Sequence, residues 1–582
     1  MGCKLAAKQL YKLSPPRVRW IVPTLLLAVH VSLLGVAACR NSPTWDEYGH
    51  LAAGVCQWST GHFGLYRVNP PLTRFVAGIP VYLARPEVDW RDYDEVPGVR
   101  PEMRAAVTFA SLNRERIFSF VTLARVACLP FSALCGYVIY RWSSELYGWR
   151  SGVLALSLWA FSPTVLGHGA LITSDVAAAA LALTTMYCAW KWLREPKPSL
   201  SAVFCLGIAL GIGQLTKFTL VLLVPIIAVL AACRFAYGWQ RHSVPLRQVA
   251  GHAVAIGLSC LYILNVGYAF EATCQPLGSF SFASMALGGS GESDATASES
   301  HNRFRRNMLA ALPVPIPKNY VMGIDAQRSD FENKFWCYLL GTWQHGGWWY
   351  YYIIALAVKE PCSLAILLGV SLMRLRRLDT ASAFDHAVLL IPAVLMFVVV
   401  SSQTGINIGV RYTLPVLPFV FVFAGGCAAE FTATTHLKRI LVVFAICWYA
   451  TSSLTTFPHS LSYFNELAGG PRNGHRILLD SNIDWGQDLF YIKEWADSHP
   501  EARPLFVDYY LPHIEPGLAG IPVSRPSPGL GGRAETQPPV GYHAISVCRL
   551  IDRWQPHKSL TNSEPIALVG YTTYIYQVRS EQ

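Results

Sequence analysis

The sequence predicts a mainly α-helical, polytopic membrane protein with about eleven transmembrane helices and a small C-terminal α/β domain outside the bilayer. Three observations predict it. The 582 residues are 52 % hydrophobic and only 14 % charged, with a mean hydropathy of +0.32, too apolar for a soluble chain of this size. Apolar runs of membrane-crossing length recur as far as residue 457, with Lys and Arg gathered in the short loops between them. Beyond residue 457 the pattern changes to Pro, Gly and short alternating runs that read as strands.

In chain order the spans fall near 20–39, 117–140, 151–167, 175–192, 200–215, 218–234, 249–270, 350–373, 386–402, 412–430 and 440–457. A basic leader (Lys4, Lys8, Lys12, Arg17, Arg19) and the ending Val36-Ala37-Ala38-Cys39 give the first span the look of a lipoprotein signal. It is long enough to cross a bilayer, so it is expected to remain as an uncleaved first helix. With the N-terminus in the cytoplasm, Arg141/Arg150, Lys191/Arg194/Lys197, Arg234/Arg241/Arg247, Arg374/Arg376/Arg377 and Lys438/Arg439 all fall on the inner side. The transmembrane domain then covers 1–457, with outer loops 40–116 and 271–349, a short outer turn at 168–174, and a soluble outer domain over 458–582.

The formal net charge of +11 does not point to nucleic acid, because the basic residues sit beside apolar spans. Most of the fifteen cysteines, among them Cys128, Cys135, Cys188 and Cys427, lie inside apolar runs as small hydrophobes. No CxxC pair or metal-type Cys/His spacing occurs.

The first outer loop carries the densest chemistry: Asp46-Glu47 directly after the first span, then His50, Arg67 and an Asn69-Pro70-Pro71 turn. An acidic pair there caps a helix or accepts a proton, and nearby cations favour the second role. Asp175, at the start of the fourth span, shares the outer face and is either an N-terminal cap or a second functional carboxylate. The Gly288–Ser300 run reads as flexible. The aromatic run GTWQHGGWWYYY that closes the second outer loop reads as an interfacial anchor, with substrate contact as the alternative and His345 open to either role.

These residues carry a resemblance. The pieces TWDEYGH, NPPL, SPTVLGHGALITSDVAAAA, VKEP, GVRYTLPVLPF and YFNELAGGPRNGHRILLDSNIDWGQDL together resemble the GT-C membrane glycosyltransferases, in the group of the dolichyl-phosphate-mannose-protein mannosyltransferases and the bacterial lipid A aminoarabinose transferases. The resemblance implies inverting transfer of a sugar from a polyprenyl- or dolichyl-phosphate donor to a protein, lipid or glycan acceptor on the outer side. It implies Asp46 as catalytic carboxylate, with Glu47 its neighbour and Asp175 the second acidic residue; Asn69 falls where some members carry Lys.

Such a reaction needs a base for the nucleophile and positive charge for the departing phosphate. Asp46 suits the first. Arg411 is the first choice for the second, with Arg67 and Lys359 as further donor-phosphate candidates; Lys359 either pairs with Glu360 or faces a polar cavity. Arg125, inside the second span, is read equally as functional or as paired with an acidic residue of the first loop. His50, Asn69, His168 and His345 are the candidate substrate contacts. Asp46 and Asp175 suit a hard divalent ion, with His50 or His168 able to add a ligand, so a metal cofactor is left open. The run Asp480-Ser481-Asn482-Ile483-Asp484-Trp485-Gly486-Gln487-Asp488 has the alternating oxygens of a calcium loop but not its glycine or closing glutamate, and reads instead as a turn into a helix. The rival classes are a transporter or lipid flippase, disfavoured because no internal repeat is visible and the acidic residues lie on outer loops, and a catalytically dead relative. The ending VRSEQ lacks an ER-retention tetrapeptide and the C-terminal region resembles bacterial relatives, so the expected location is a bacterial inner membrane with the site facing the periplasm.

Overall fold

The computed structural model describes residues 18–91, 100–195, 198–236, 246–289, 301–375, 380–429, 436–511, 515–524, 538–561 and 563–579. Most of the basic leader, the 290–300 part of the Gly/Ser run, and Lys197, Arg241, Arg376 and Arg377 lie outside these residues.

Helix α1 (Val18–Arg40) leads directly into α2 (Trp45–Thr60), which begins with a capping box: Thr44 and Glu47 each satisfy the other's backbone N–H. Gly61, at φ 73°, ends α2 in the left-handed conformation that glycine adopts without strain. Next come α3 (Leu72–Leu83), entered through the Asn-Pro-Pro turn, and α4 (Pro101–Leu112). Helix α3 crosses α2 so closely that a Cβ on Gly54 would lie 2.1 Å from the Arg74 carbonyl oxygen.

Among the described residues, six helices are long and apolar enough to cross a membrane: Val18–Arg40, Ile117–Tyr147 (α5), Ser174–Arg194 (α8), Arg247–Gly267, Ser382–Ser402 and His436–Leu454. A seventh crossing arises if the bent pair Tyr351–Lys359 and Ser363–Leu375 is one span. By length and composition, then, the described helices supply six or seven of the eleven expected spans. The remaining expected spans are present as shorter helices, two of them divided at a proline. Pro361 lacks an amide hydrogen and forces Glu360 into extended backbone (φ −115°, ψ 147°), turning the two halves by 107°. Ser162-Pro163 likewise divides α6 (Trp149–Phe161) from α7 (Pro163–His168). Trp142, Trp159 and Trp190 are fully buried in the main apolar core that these helices enclose.

Helix α8 fixes the polarity of the bundle. Near its C-terminal end Lys191 pairs with Glu145, which also accepts from Arg141 (3.2 Å) and Tyr187 (2.6 Å). Asp175 lies on its first turn, about 24 Å away along the axis. The basic loops and the acidic candidates thus occupy opposite ends of the bundle, as the charge pattern predicted.

The C-terminal region forms a four-stranded sheet from β1 (Leu505–Asp508), β2 (Gly541–Ser546), β3 (Ala567–Val569) and β4 (Thr573–Val578), ordered β1-β2-β4-β3. The β1–β2 pair is parallel and the others are antiparallel. Leu505, Val507, Ala544 and Ile575 share one apolar cluster with Leu51, Val55, Phe109 and Phe120, so this region packs onto α2, α4 and α5 through a common core. The Asp480–Asp488 run is a turn into the helix Leu489–Ser498, as expected, with each carboxylate directed to a different partner. Asp480 accepts from Tyr510 (2.6 Å), Asp484 from Ser546 and from the Gly486 amide (3.0 Å), and Asp488 from Thr572 (2.8 Å).

Arg125 on α5 ties the first loop to the bundle. Its guanidinium grips Glu47 at 2.8 and 2.6 Å and donates to the carbonyls of Ala38, Asn41 and Ser42; both partners are buried. Glu47 also accepts from the Ile172 amide at 3.1 Å. Removing one partner strands the other charge in the interior, so Glu47→Ala is expected to cost about 3–5 kcal/mol, while Asp497→Ala, which opens an exposed pair with Lys493, costs under about 1 kcal/mol. Thermal unfolding in one detergent compares the two. A second prediction concerns pH. Burial pushes the Asp484 carboxyl up to about 7 from its ordinary 3.8, against the pull of its two hydrogen bonds. The neutral form is the folded form's preference, so its contribution is full below 3.8 and is lost as pH rises through about 7. Asp484→Asn should flatten that part of the pH–stability curve.

Candidate functional site

Three separate elements bring their charges together at the end of the bundle opposite Lys191 and Glu145. Asp46 is the second residue of α2, Asp175 the second of α8, and Arg411 lies in a short 3-10 turn, Val410–Thr413, after the Ser382–Ser402 helix. The Arg411 guanidinium donates to Asp46 at 2.9 Å and lies 3.7 Å from Asp175 Oδ2. Lys217, just past the helix Leu200–Gln214, donates to Asp175 Oδ1 at 2.5 Å. The result is a chain of alternating charge, Asp46–Arg411–Asp175–Lys217.

Exposure separates the two carboxylates. The Asp46 side chain is 23 % exposed, whereas that of Asp175 is 3 % exposed and enclosed by its cations. Burial opposes the Arg411 charge, but Asp46 and Asp175 outweigh it and raise the guanidinium pKa, so it stays cationic. Two aromatic rings flank it: Trp485 at 4.2 Å and Tyr412 at 5.2 Å from the guanidinium carbon. Tyr412 also lies 4.8 Å from the Lys217 ammonium.

His50 and His168 face the same charges. Both are buried, and burial holds the His50 imidazole well below its ordinary range and pushes His168 down to about 3, so both are neutral at physiological pH. Their Nδ1 atoms, with Thr173 Oγ1, Arg411 Nε and Asp175 Oδ2, are buried without a hydrogen-bond partner. Such atoms are rare in native interiors, and here they cluster around one group of charges. Asn69 adjoins the cluster, its side-chain oxygen accepting from Ser174 at 3.2 Å and its carbonyl from Arg74 at 2.6 Å.

The other expected site residues are employed elsewhere. Glu47 is committed to Arg125 and to the capping box with Thr44. Lys359 neither pairs with Glu360 nor faces the site: its ammonium donates to the carbonyls of Leu461, Tyr463 and Asn482 at 2.8, 2.5 and 2.6 Å. Glu360 accepts instead from Ser162 and Tyr449. Arg67 donates to Asn319 (2.8 Å) and lines a separate cleft with Arg100, Glu102 and Asp325. His345 is exposed on a hairpin, 5.5 Å from the Trp336 ring. In the aromatic run, Tyr351 and Tyr352 are buried while Trp349 is 66 % exposed, so core and surface roles divide within it. Asp175 is not a helix cap, since its carboxylate reaches across to Lys217.

Sequence reasoning missed Lys217, Tyr412 and Trp485. Lys217 carried the signal used for Arg125 and Lys359, a lone charge in an apolar stretch. Trp485 carried none, because its place depends on a contact across 74 residues of chain. Asp46 Oδ2 is paired with Arg411 and Asp175 Oδ1 with Lys217, and among the described residues no three His, Cys, Asp or Glu side chains gather as ion ligands.

Residues 114–263, about a quarter of the chain, match the family model described as dolichyl-phosphate-mannose-protein mannosyltransferase. No curated protein matches the chain. Similar solved structures include ArnT from Cupriavidus metallidurans in the apo state, at 13 % identity over 96 % of this chain and 98 % of that one, with a TM-score of 0.45. The same protein bound to undecaprenyl phosphate matches at 13 % identity over 95 % and 97 %, TM-score 0.44. The archaeal oligosaccharyltransferase AglB from Archaeoglobus fulgidus, in complex with an inhibitory peptide and a dolichol-phosphate, matches at 14 % over 75 % and 54 %, TM-score 0.41. The family model spans Arg125, His168, Asp175 and Lys217, and over that stretch this membrane protein is similar to the dolichyl-phosphate-mannose-protein mannosyltransferases, the GT-C group its motifs resemble.

Proposed function

We propose that the protein transfers a sugar, with inversion, from a polyprenyl- or dolichyl-phosphate donor to an acceptor hydroxyl on the outer side of a bacterial inner membrane. The observation that carries this reading is the shared guanidinium: Arg411 holds the half-open Asp46 against the enclosed Asp175 at the end of the bundle opposite its basic loops.

In this reading each charge has one task. The acceptor oxygen attacks the anomeric carbon while Asp46 takes its proton. The bond between that carbon and the phosphate oxygen breaks, and the lipid monophosphate leaves with the electron pair. Arg411 meets the phosphate as a planar, permanently charged donor, with its Nε still unpartnered. A phosphate on Arg411 competes with Asp46 for the guanidinium, so donor binding itself loosens the base. Asp175 holds Arg411 and Lys217 in place, and its burial keeps it from acting as a second base. His50 and His168, neutral and with open Nδ1 atoms, are suited to hydroxyl groups rather than to phosphate. No step passes through a metal ion.

Sugar release from a panel of radiolabelled polyprenyl-phosphate sugars by the purified protein in detergent tests the reading. Asp46→Asn keeps the volume and removes the base, so transfer should fall at least about a hundredfold. Arg411→Ala should raise the donor KM by about tenfold or more and affect the acceptor KM less. EDTA should leave the rate unchanged. Near-normal turnover by Asp46→Asn would sink the assignment of the base.

A further inference from the structure

The run from Asp480 to Leu489 lies far along the chain from the charged cluster, yet it bonds to both sides of the Asp46–Arg411 pair. On one side it holds the start of α2: the Ser42 amide donates to the Gln487 carbonyl (2.9 Å) and the Trp45 amide to the Trp485 carbonyl (3.0 Å). The Ser42 hydroxyl donates to the Gly486 carbonyl (2.8 Å) and accepts from the Leu489 amide (2.9 Å). On the other side it holds the turn before Arg411: the Val410 amide donates to Asn482 Oδ1 (2.8 Å), and the Ser481 hydroxyl to the Ile408 carbonyl (2.9 Å). Lys359 secures the run from below through the Asn482 carbonyl. Between the two sides stands Trp485, 2 % exposed, its ring 4.2 Å from the Arg411 guanidinium carbon and edge-on to His168 at 6.0 Å.

We infer that this run is a clamp that sets the Asp46–Arg411 distance, and that Trp485 is a positioning residue that holds Arg411 in register for the donor phosphate. The inference rests on the transfer reading above. Asp46 and Asp175 hold the guanidinium through one terminal nitrogen, and the indole face of Trp485 restrains the rest of its plane while attracting its charge. Tyr412 lies further away, at 5.2 Å, and also faces Lys217, so it cannot supply the same restraint alone. The clamp joins the C-terminal region to the site, so that region is part of the working machinery.

A double-mutant cycle in the full-length protein tests this, with undecaprenyl monophosphate binding and donor KM as readouts. Trp485→Leu should weaken binding and raise the donor KM by about tenfold with little change in kcat, and Trp485→Phe, which keeps an aromatic face, should recover most of the loss. In an Arg411→Lys background, where the planar cation is gone, Trp485→Leu should add less than about twofold. Equal losses from Trp485→Leu in both backgrounds, or a loss that tracks the melting temperature and is not relieved by Phe, would overturn the positioning role while leaving the transfer reading intact. Failure of the wild-type protein to bind the phosphate or release sugar would overturn both.

Discussion

Arg125 and Glu47 form a buried ion pair on which the placement of the loop after the first helix depends. The guanidinium takes three carbonyls from the exit of α1 and both oxygens of Glu47, and Glu47 in turn holds Thr44 and the Ile172 amide three residues before Asp175. One pair therefore joins the elements that carry Asp46, Asp175 and the second long span. Buried pairs of this kind add little net stability, since desolvating both ions offsets most of their attraction. What they supply is geometry: each oxygen and nitrogen has one favourable position, and the loop is held at that position.

The same rule governs the site itself. Arg411, Asp175 and Lys217 are largely withdrawn from water, so each charge requires an opposite neighbour at short range, and the chain of alternating sign meets that requirement. Asp46 is the exception, because part of it remains open while its other side faces Arg411. A site balanced in this way has one reachable carboxylate and one cation poised to exchange partners, which is the equipment needed to receive a phosphate and release a base. The lone pairs and N–H groups left without partners around it are the remaining unbalanced element.

Much of this was legible in the sequence because it follows from composition and local rules. Apolar run lengths placed the long spans, to within four residues except at the end of the Ile117–Tyr147 helix, and the loop charges separated the two ends of the bundle, since both depend on the energetic cost of moving charge into hydrocarbon. The strand-like runs in the C-terminal region and the pairing of Arg125 with a first-loop carboxylate were also within reach. A hydropathy window does not register the breaks at Ser162-Pro163 and Glu360-Pro361, where a missing amide hydrogen ends the helix, so two of the expected spans are divided. Lys359 was misplaced because a buried cation in an apolar stretch signals only that it has partners; here they are backbone carbonyls, which leave no trace in the sequence.

The sequence by itself determined that the chain is a membrane protein, where its long helices run, and that Asp46, Asp175 and Arg411 lie toward one end, because these depend on nearest-neighbour chemistry and on the bilayer's thickness. Only the tertiary structure decided that Arg411 joins the two carboxylates, that Lys217 stands behind Asp175, that Glu47 pairs with Arg125, and that Trp485 reaches the site from the C-terminal region. The reason is physical. A charge shows in the sequence that it must be compensated, but which partner compensates it is set by contacts between segments tens to hundreds of residues apart, and only the packed chain brings those segments together.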